Sequence, residues 1–103
     1  MVKKINTEEF NEMDKTGLVV ADFNATWCGP CRMLAPVLEE LSEDYKGKAK
    51  FVAIDTDENH DLAVDFKIMS IPAVIILKDG VQAGKNIGFV QKAELAALID
   101  KNL

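Results

Sequence analysis

Apolar residues along this 103-residue chain gather into short blocks separated by polar punctuation. Their spacing switches between the period of a strand and that of a helix. Residues 2 to 5 predict a short edge strand. Thr7 is placed to cap a helix, with Glu8 and Glu9 in the first turn and Phe10 and Met13 at helical spacing. After Gly17, the run "LVVADF" (18 to 23) is apolar at both parities, the pattern of a central strand covered on both sides. A helix is predicted from about Cys28 to Tyr45, where Leu34, Val37, Leu38, Leu41 and Tyr45 make one stripe. Pro36 lies inside it and is expected to kink it.

"FVAI" (51 to 54) predicts a second central strand, and "ENHDLAVDF" (58 to 66) a short helix packing Leu62, Val64 or Phe66. "AVIIL" (73 to 77) and "VQAGKNIGF" (81 to 89) read as strands joined through "KDG", a tight-turn signal for an antiparallel hairpin. The closing "QKAELAALIDKNL" is an amphipathic helix on Leu95, Leu98 and Ile99. The resulting order is strand, helix, strand, helix, strand, helix, strand, strand, helix. It predicts an α/β fold with one central mixed sheet flanked by helices on both faces, in a single domain over residues 1–103.

Composition narrows the partners. Hydrophobic residues make up 49% and charged residues 28%, the balance of an ordinary globular protein. A net charge of −5 disfavours nucleic acid and anionic lipid, both of which need basic patches. No apolar run approaches the roughly 20 residues that span a bilayer. "MVKKINTEEF" has two lysines with no apolar stretch behind them, so no signal peptide is expected and the protein is placed in the cytoplasm. There a close pair of cysteines is more often catalytic or metal-binding than structural.

Both cysteines of the chain, Cys28 and Cys31, stand together in "DFNATWCGPCRML". A structural zinc site wants four Cys or His ligands, whereas the chain has two cysteines and one histidine, His60. No metal is expected. A structural staple is weak as well, because closing so short a loop removes only roughly 2 kcal/mol of unfolded-state entropy against about 3 for a loop of fifteen. A redox role has a positive mechanism. Cys28 falls at the exposed start of a helix, where unpaired N–H groups and the positive dipole end favour thiolate, the nucleophilic form. Cys31 lies on the same helix face. Helical spacing sets such pairs about 5–6 Å apart at Cβ, and a relaxed disulfide prefers nearer 3.8 Å, so the bridge forms in a tightened first turn and stays reducible. Gly29 lets another chain approach, and Pro30 suits a first turn that does not need its N–H. The pair reads as a reversible dithiol/disulfide.

Asp22 is harder to place. It shares strand parity with Leu18 and Val20, so its carboxylate is either drawn out of water on a covered strand or tipped into solvent at the strand's end. Trp27 is either core or a surface beside the cysteines. Ile71-Pro72 begins an apolar strand, where the missing N–H is tolerable. His60 reads as a solvent-facing helix residue without a role.

"WCGPC" after an apolar strand carrying Asp, with "ADFNATWCGPC", Pro36, "IDTDEN", "SIPAVIILKDG" and Gly88 in order over essentially the whole chain, resembles the thioredoxin family. The resemblance implies a thioredoxin fold and a general protein disulfide reductase. The Cys28/Cys31 pair would cycle between dithiol and disulfide with no other cofactor. It implies that Asp22 is a buried acid relaying a proton to or from Cys31, and that Trp27 is a partly exposed platform. It also implies a cis bond at Ile71-Pro72, where the backbone before the proline pairs with an extended substrate, and a groove completed by Ile87 and Gly88. The implied partners are a thioredoxin reductase-like electron donor and disulfide-containing proteins, with the chain acting as a monomer. Arg32 is the only charge between Phe23 and Leu38, so the docking rim is expected to be nearly neutral.

Two positions depart from the family. Asn24 stands where many members carry a large aromatic residue, an expected loosening or wetting behind the active site. Phe51 falls at the strand position where bacterial members commonly place a lysine beside the buried acid, and alternation points the adjacent Lys50 to the opposite face. A thiol oxidase or isomerase on the same fold is a rival reading, since about 30 mV of potential is worth only 1.4 kcal/mol. The Gly-Pro dipeptide and the missing export signal stand against it. A non-catalytic binding subunit is the other rival.

Overall fold

The computed structural model describes every residue from Met1 to Leu103. The elements are β1 (Lys3–Lys4), α1 (Thr7–Glu12), β2 (Leu18–Asn24), α2 (Gly29–Asp44), β3 (Ala49–Asp55), α3 (His60–Asp65), β4 (Ala73–Lys78), β5 (Val81–Ile87) and α4 (Lys92–Lys101). Their order is the predicted one. They build one five-stranded sheet in the order β1-β3-β2-β4-β5. β3 pairs parallel with both β1 and β2, and β4 pairs antiparallel with β2 and β5. The sheet is therefore mixed, as expected.

Strand alternation sends the apolar run of β2 to both sides of the sheet. Val19, Ala21 and Phe23 join Ile54, Ile75 and Leu77 under α1 and α3, which contribute Phe10 and Leu62. Leu18 and Val20 join Phe51, Val74 and Ile76 under α2 and α4, which contribute Leu34, Leu38, Leu41, Leu95 and Ile99. Phe66 closes the first core edge-on against Phe10, with ring centroids 5.6 Å apart. α2 runs through Pro36 to Asp44 without interruption.

Local chemistry sets the turns. Asp79 and Gly80 both take positive φ, +50° and +84°, the backbone a tight hairpin between β4 and β5 demands. The register slips between Ile76 and Leu77, where β5 carries a bulge. Several expectations shift. The cap of α1 is Asn6, not Thr7: its side chain accepts the Glu9 N–H at 2.8 Å while Glu9 reaches back to the Asn6 N–H at 3.0 Å. Thr7 instead bonds Asn59 through both its N–H and its hydroxyl. Val64 is 57% exposed, so α3 packs through Leu62 and Phe66. β5 stops at Ile87, because the next residue, Gly88, takes φ +87°.

Leu38, fully buried between α2 and the sheet, should cost about 2–5 kcal/mol when cut to Ala. The exposed Val64→Ala should change stability by no more than about 0.5 kcal/mol. Urea denaturation of the two variants checks the contrast.

Candidate active site

β2 ends at Asn24, and a short loop carries the chain to the start of α2. Cys28 is the N-cap residue: its backbone is extended, and its Sγ accepts the N–H of Cys31 at 3.3 Å. Sulfur here takes the place a Ser or Asp oxygen occupies in an ordinary cap. Gly29 and Pro30 fill the first two helical positions, where one of the N–H groups missing a partner is absent by virtue of the proline. No acid lies in the first turn of this 16-residue helix. No side chain of that turn therefore offsets its positive end at the sulfur.

Cys28 and Cys31 are joined in a disulfide, with Cα atoms 5.3 Å apart. The expected exposure of Cys28 is not found: it is 4% exposed and Cys31 5%. Ala25 and Ile71 pack over the pair and cover both residues. What separates the two cysteines is their surroundings. Cys28 Sγ receives a helix N–H, whereas Cys31 lines a cleft of about 280 Å³ shared with Asp22, Asn24, Ala53 and Asp55.

Asp22 is buried, 4% exposed, on the α2 and α4 side of the sheet that its parity with Leu18 and Val20 requires. Its Oδ2 accepts the side-chain N–H of Asn24 at 3.0 Å. Its Oδ1 is buried with no hydrogen-bond partner. Desolvation pushes the Asp22 pKa up to about 6, and the hydrogen bond from Asn24 pulls the other way. The residue opposite Asp22 on β3 is Ala53; Phe51, which the sequence reading set beside the acid, pairs with Val20 and sits in the core. A two-residue shift in register accounts for the difference, and the neighbour is in either case uncharged. Lys50 does point away, its Nζ donating to the Asp14 carbonyl at 2.6 Å.

On the far side of the disulfide, Trp27 is 68% exposed and its Nε1 donates to Asp57 Oδ2 at 2.8 Å. Trp27 and Ile71 line a common hollow of about 230 Å³. The Ile71-Pro72 peptide is cis. The Gly88 N–H donates to the Pro72 carbonyl at 2.7 Å, and Ile87 pairs with Ala73. These bonds bring Pro72, Ile87 and Gly88 together as one notch. Gly29 is half-buried and Pro30 exposed beside it. The sequence reading missed Asp57, which orients the indole, and the exposed Met69, which lines the same hollow. Met69, 93% exposed and two residues before Ile71, could have been found from its place in a turn between two apolar elements. His60 is exposed at the start of α3 and lines the hollow with Trp27. Nowhere do three or more His, Cys, Asp or Glu side chains converge as metal ligands.

A family model for thioredoxin matches residues 1–101. The chain belongs to the thioredoxin family. It is 48% identical over 102 residues to a thioredoxin of Staphylococcus haemolyticus strain JCSC1435, covering 99% of this chain and 98% of that protein. A thioredoxin of Staphylococcus aureus strain Mu50 is 46% identical over the same length and with the same coverage. The fold is the thioredoxin fold, and the protein is a thiol–disulfide oxidoreductase working through its Cys-x-x-Cys pair.

The buried acid makes stability pH-dependent with an unusual sign. Well below the unfolded value of about 3.9 the carboxyl is neutral in folded and unfolded chains alike and adds no pH-dependent cost. As pH rises toward about 6, the unfolded chain ionises first, and folding becomes less favourable. Above the folded pKa the penalty is constant, on the order of 3 kcal/mol for a shift of about two units. Asp22→Asn should therefore stabilise the oxidised protein at pH 7.5, with the gain vanishing near pH 3.5. Urea melts at the two pH values decide it; a variant no more stable at pH 7.5 would show that Asp22 is solvated or paired in solution.

Proposed function

We propose that the chain, as one domain over residues 1–103, is a general protein disulfide reductase of the cytoplasm, acting as a monomer with a thioredoxin reductase-like donor. The observation that carries the reading is the disulfide closed across the first turn of α2, with the Cys28 sulfur capping the helix. In the reduced protein that setting favours the Cys28 thiolate.

The Cys28 thiolate attacks one sulfur of a substrate disulfide. A bond forms between Cys28 and that sulfur, and the other substrate sulfur leaves as a thiolate. Cys31 then gives its proton to the Asp22 carboxylate, and the resulting thiolate attacks Cys28 Sγ. The Cys28–Cys31 bond forms, the bond from Cys28 to substrate breaks, and the second substrate thiolate departs. Two electrons have passed to the substrate. The donor returns two electrons and the protons, and the protein's own disulfide is the only redox group required. The shared cleft of Asp22 and Cys31 supports this division of labour, as does a carboxyl pKa close to neutrality.

Trp27, Gly29, Pro30, Ile71, Pro72, Ile87 and Gly88 form the proposed substrate rim. Its exposed surface is apolar at Trp27 and Ile87, which suits an extended segment carrying the target disulfide.

Cys31→Ser should accumulate mixed disulfides with protein substrates, and Cys28→Ser should trap none under the same conditions. Non-reducing gels read the result, and equal trapping by the two variants overturns the assignment. The rim is tested at Ile87, because any side chain at Gly88 would be strained at φ +87°. Ile87→Asp, at a residue 47% exposed, should slow reduction of a protein disulfide by about tenfold, the effect of losing ~1.4 kcal/mol of docking. It should leave reduction of a small aromatic disulfide within about twofold. Equal losses on both substrates would argue against a docking role.

A further inference from the structure

The amide of Asn24 is the only hydrogen-bonding partner of the buried carboxylate, and it engages one oxygen alone. Asn24 Nδ2 lies 3.0 Å from Asp22 Oδ2 and 3.4 Å from the Asp22 carbonyl oxygen. Both neighbours are acceptors, so the amide must present its N–H rather than its oxygen. The backbone at Asn24 is held independently: its carbonyl accepts the Thr56 N–H at 2.8 Å and the Thr56 hydroxyl at 3.1 Å. The side chain is thus fixed on the same face as Asp22, two residues along the strand.

The remaining charged groups around this cleft are committed elsewhere or carry no opposing charge. From β1, Lys4 Nζ is 3.3 Å from Glu58. From β3, Asp55 Oδ1 accepts the N–H groups of Asp57 and Glu58, and Ala53 stands directly opposite the acid. From α2, Arg32 Nη1 donates to the Thr26 carbonyl at 2.7 Å, and Cys31 lines the cleft. From β4, Val74 pairs with Asp22. No cation bonds the carboxylate, and one neutral amide does.

We propose that Asn24 is a positioning residue for the thiol–disulfide reaction: its amide holds Asp22 Oδ2 and leaves Oδ1 as the oxygen that exchanges the proton with Cys31. An oxygen that accepts a strong N–H is the poorer site for a proton, so the proton goes to the oxygen without a partner. In the step concerned, the Cys31 S–H bond breaks and an O–H bond forms at Asp22 Oδ1; the Cys31 thiolate then bonds Cys28 Sγ as the bond from Cys28 to the substrate sulfur breaks and the substrate leaves as a thiolate. The donated bond favours the ionised carboxylate and so opposes the desolvation that drives its pKa up. Asn24 does by hydrogen bonding what a neighbouring cation would do by charge, and keeps the acid ionised often enough to act as a base at neutral pH. This inference rests on the proton relay proposed above.

The test is the pH titration of the Asp22 carboxyl carbon by NMR, with the pH profile of mixed-disulfide resolution measured in single turnover. Wild type, Asn24→Leu, Asn24→Ala, Asp22→Asn and the double variant Asp22→Asn with Asn24→Leu are compared. Removing the amide in either Asn24 variant should raise the Asp22 midpoint by about one pH unit, the size of one charge-assisted hydrogen bond. The resolution profile should move with it. In the Asp22→Asn background, Asn24→Leu should leave the resolution rate unchanged. An unmoved midpoint and profile in both Asn24 variants overturns the positioning role while the relay stands. An equal slowing by Asn24→Leu with and without Asp22 also overturns it, because the amide would then act through something else. Resolution at the wild-type rate in Asp22→Asn overturns the relay, and this inference falls with it.

Discussion

β2 is hydrogen-bonded along both edges, to β3 on one side and β4 on the other, and covered on both faces. A strand held this way has no side open to water, and whatever its sequence places there must be dry. Five of its positions meet that condition with Leu, Val, Ala and Phe. The remaining buried position is Asp22, whose alternation sends it under α2, and the seventh residue, Asn24, is half-buried at the strand's end. The same strand, by ending at Asn24, sets where the chain must turn and hence where α2 begins. One packed element therefore fixes the acid, the amide that meets it and the helix start that carries both cysteines.

Within this small volume the fold treats two potential anions in opposite ways. The Cys28 sulfur lies at a helix start with a backbone N–H directed at it, which lowers the cost of a negative charge. The Asp22 carboxyl lies in dry surroundings with one oxygen unserved, which raises that cost. The two settings act in opposite senses, one toward the anion and the other toward the neutral acid. In the proposed relay the proton comes from Cys31, across the cleft it shares with Asp22, to an acid whose pKa lies near neutrality. The penalty is carried by the rest of the sheet, since an ionised Asp22 works against folding.

The order of elements was legible because nearly every block of the chain satisfies periodicity, turn chemistry and burial together. The boundaries of α2 and the Asp79–Gly80 turn follow from single residues whose preferences are strong. The cap of α1 was displaced by one position because Asn6 and Thr7 are both good caps, and only the reciprocal bond with Glu9 chooses between them. The paired cysteines and the dryness of Asp22 could be reasoned from helix starts and strand parity. The neighbours of Asp22 could not. Strand register places Ala53 opposite it rather than Phe51, and a shift of two residues preserves the alternation, so the hydrophobic pattern is silent about it. The burial of Cys28 escaped for a related reason, because Ile71, which packs on the cysteine cluster, comes from a segment distant in the sequence. Asn24, expected to loosen or wet the region behind the active site, is also the one group bonded to the acid, and nothing in its sequence context announced that bond.

The rims of the sheet bear on the company this protein keeps. β1 is only two residues long and both are lysines, while β5 is bulged near its middle and carries Lys85. Short, charged and kinked borders make poor templates for further strands. Such borders turn extended chains away, and the place proposed for them is the notch at Pro72. A carrier of the proposed kind, meeting many partly unfolded clients in succession, would need this inhospitality. Borders that welcomed any passing strand would convert each brief encounter into the seed of a growing stack.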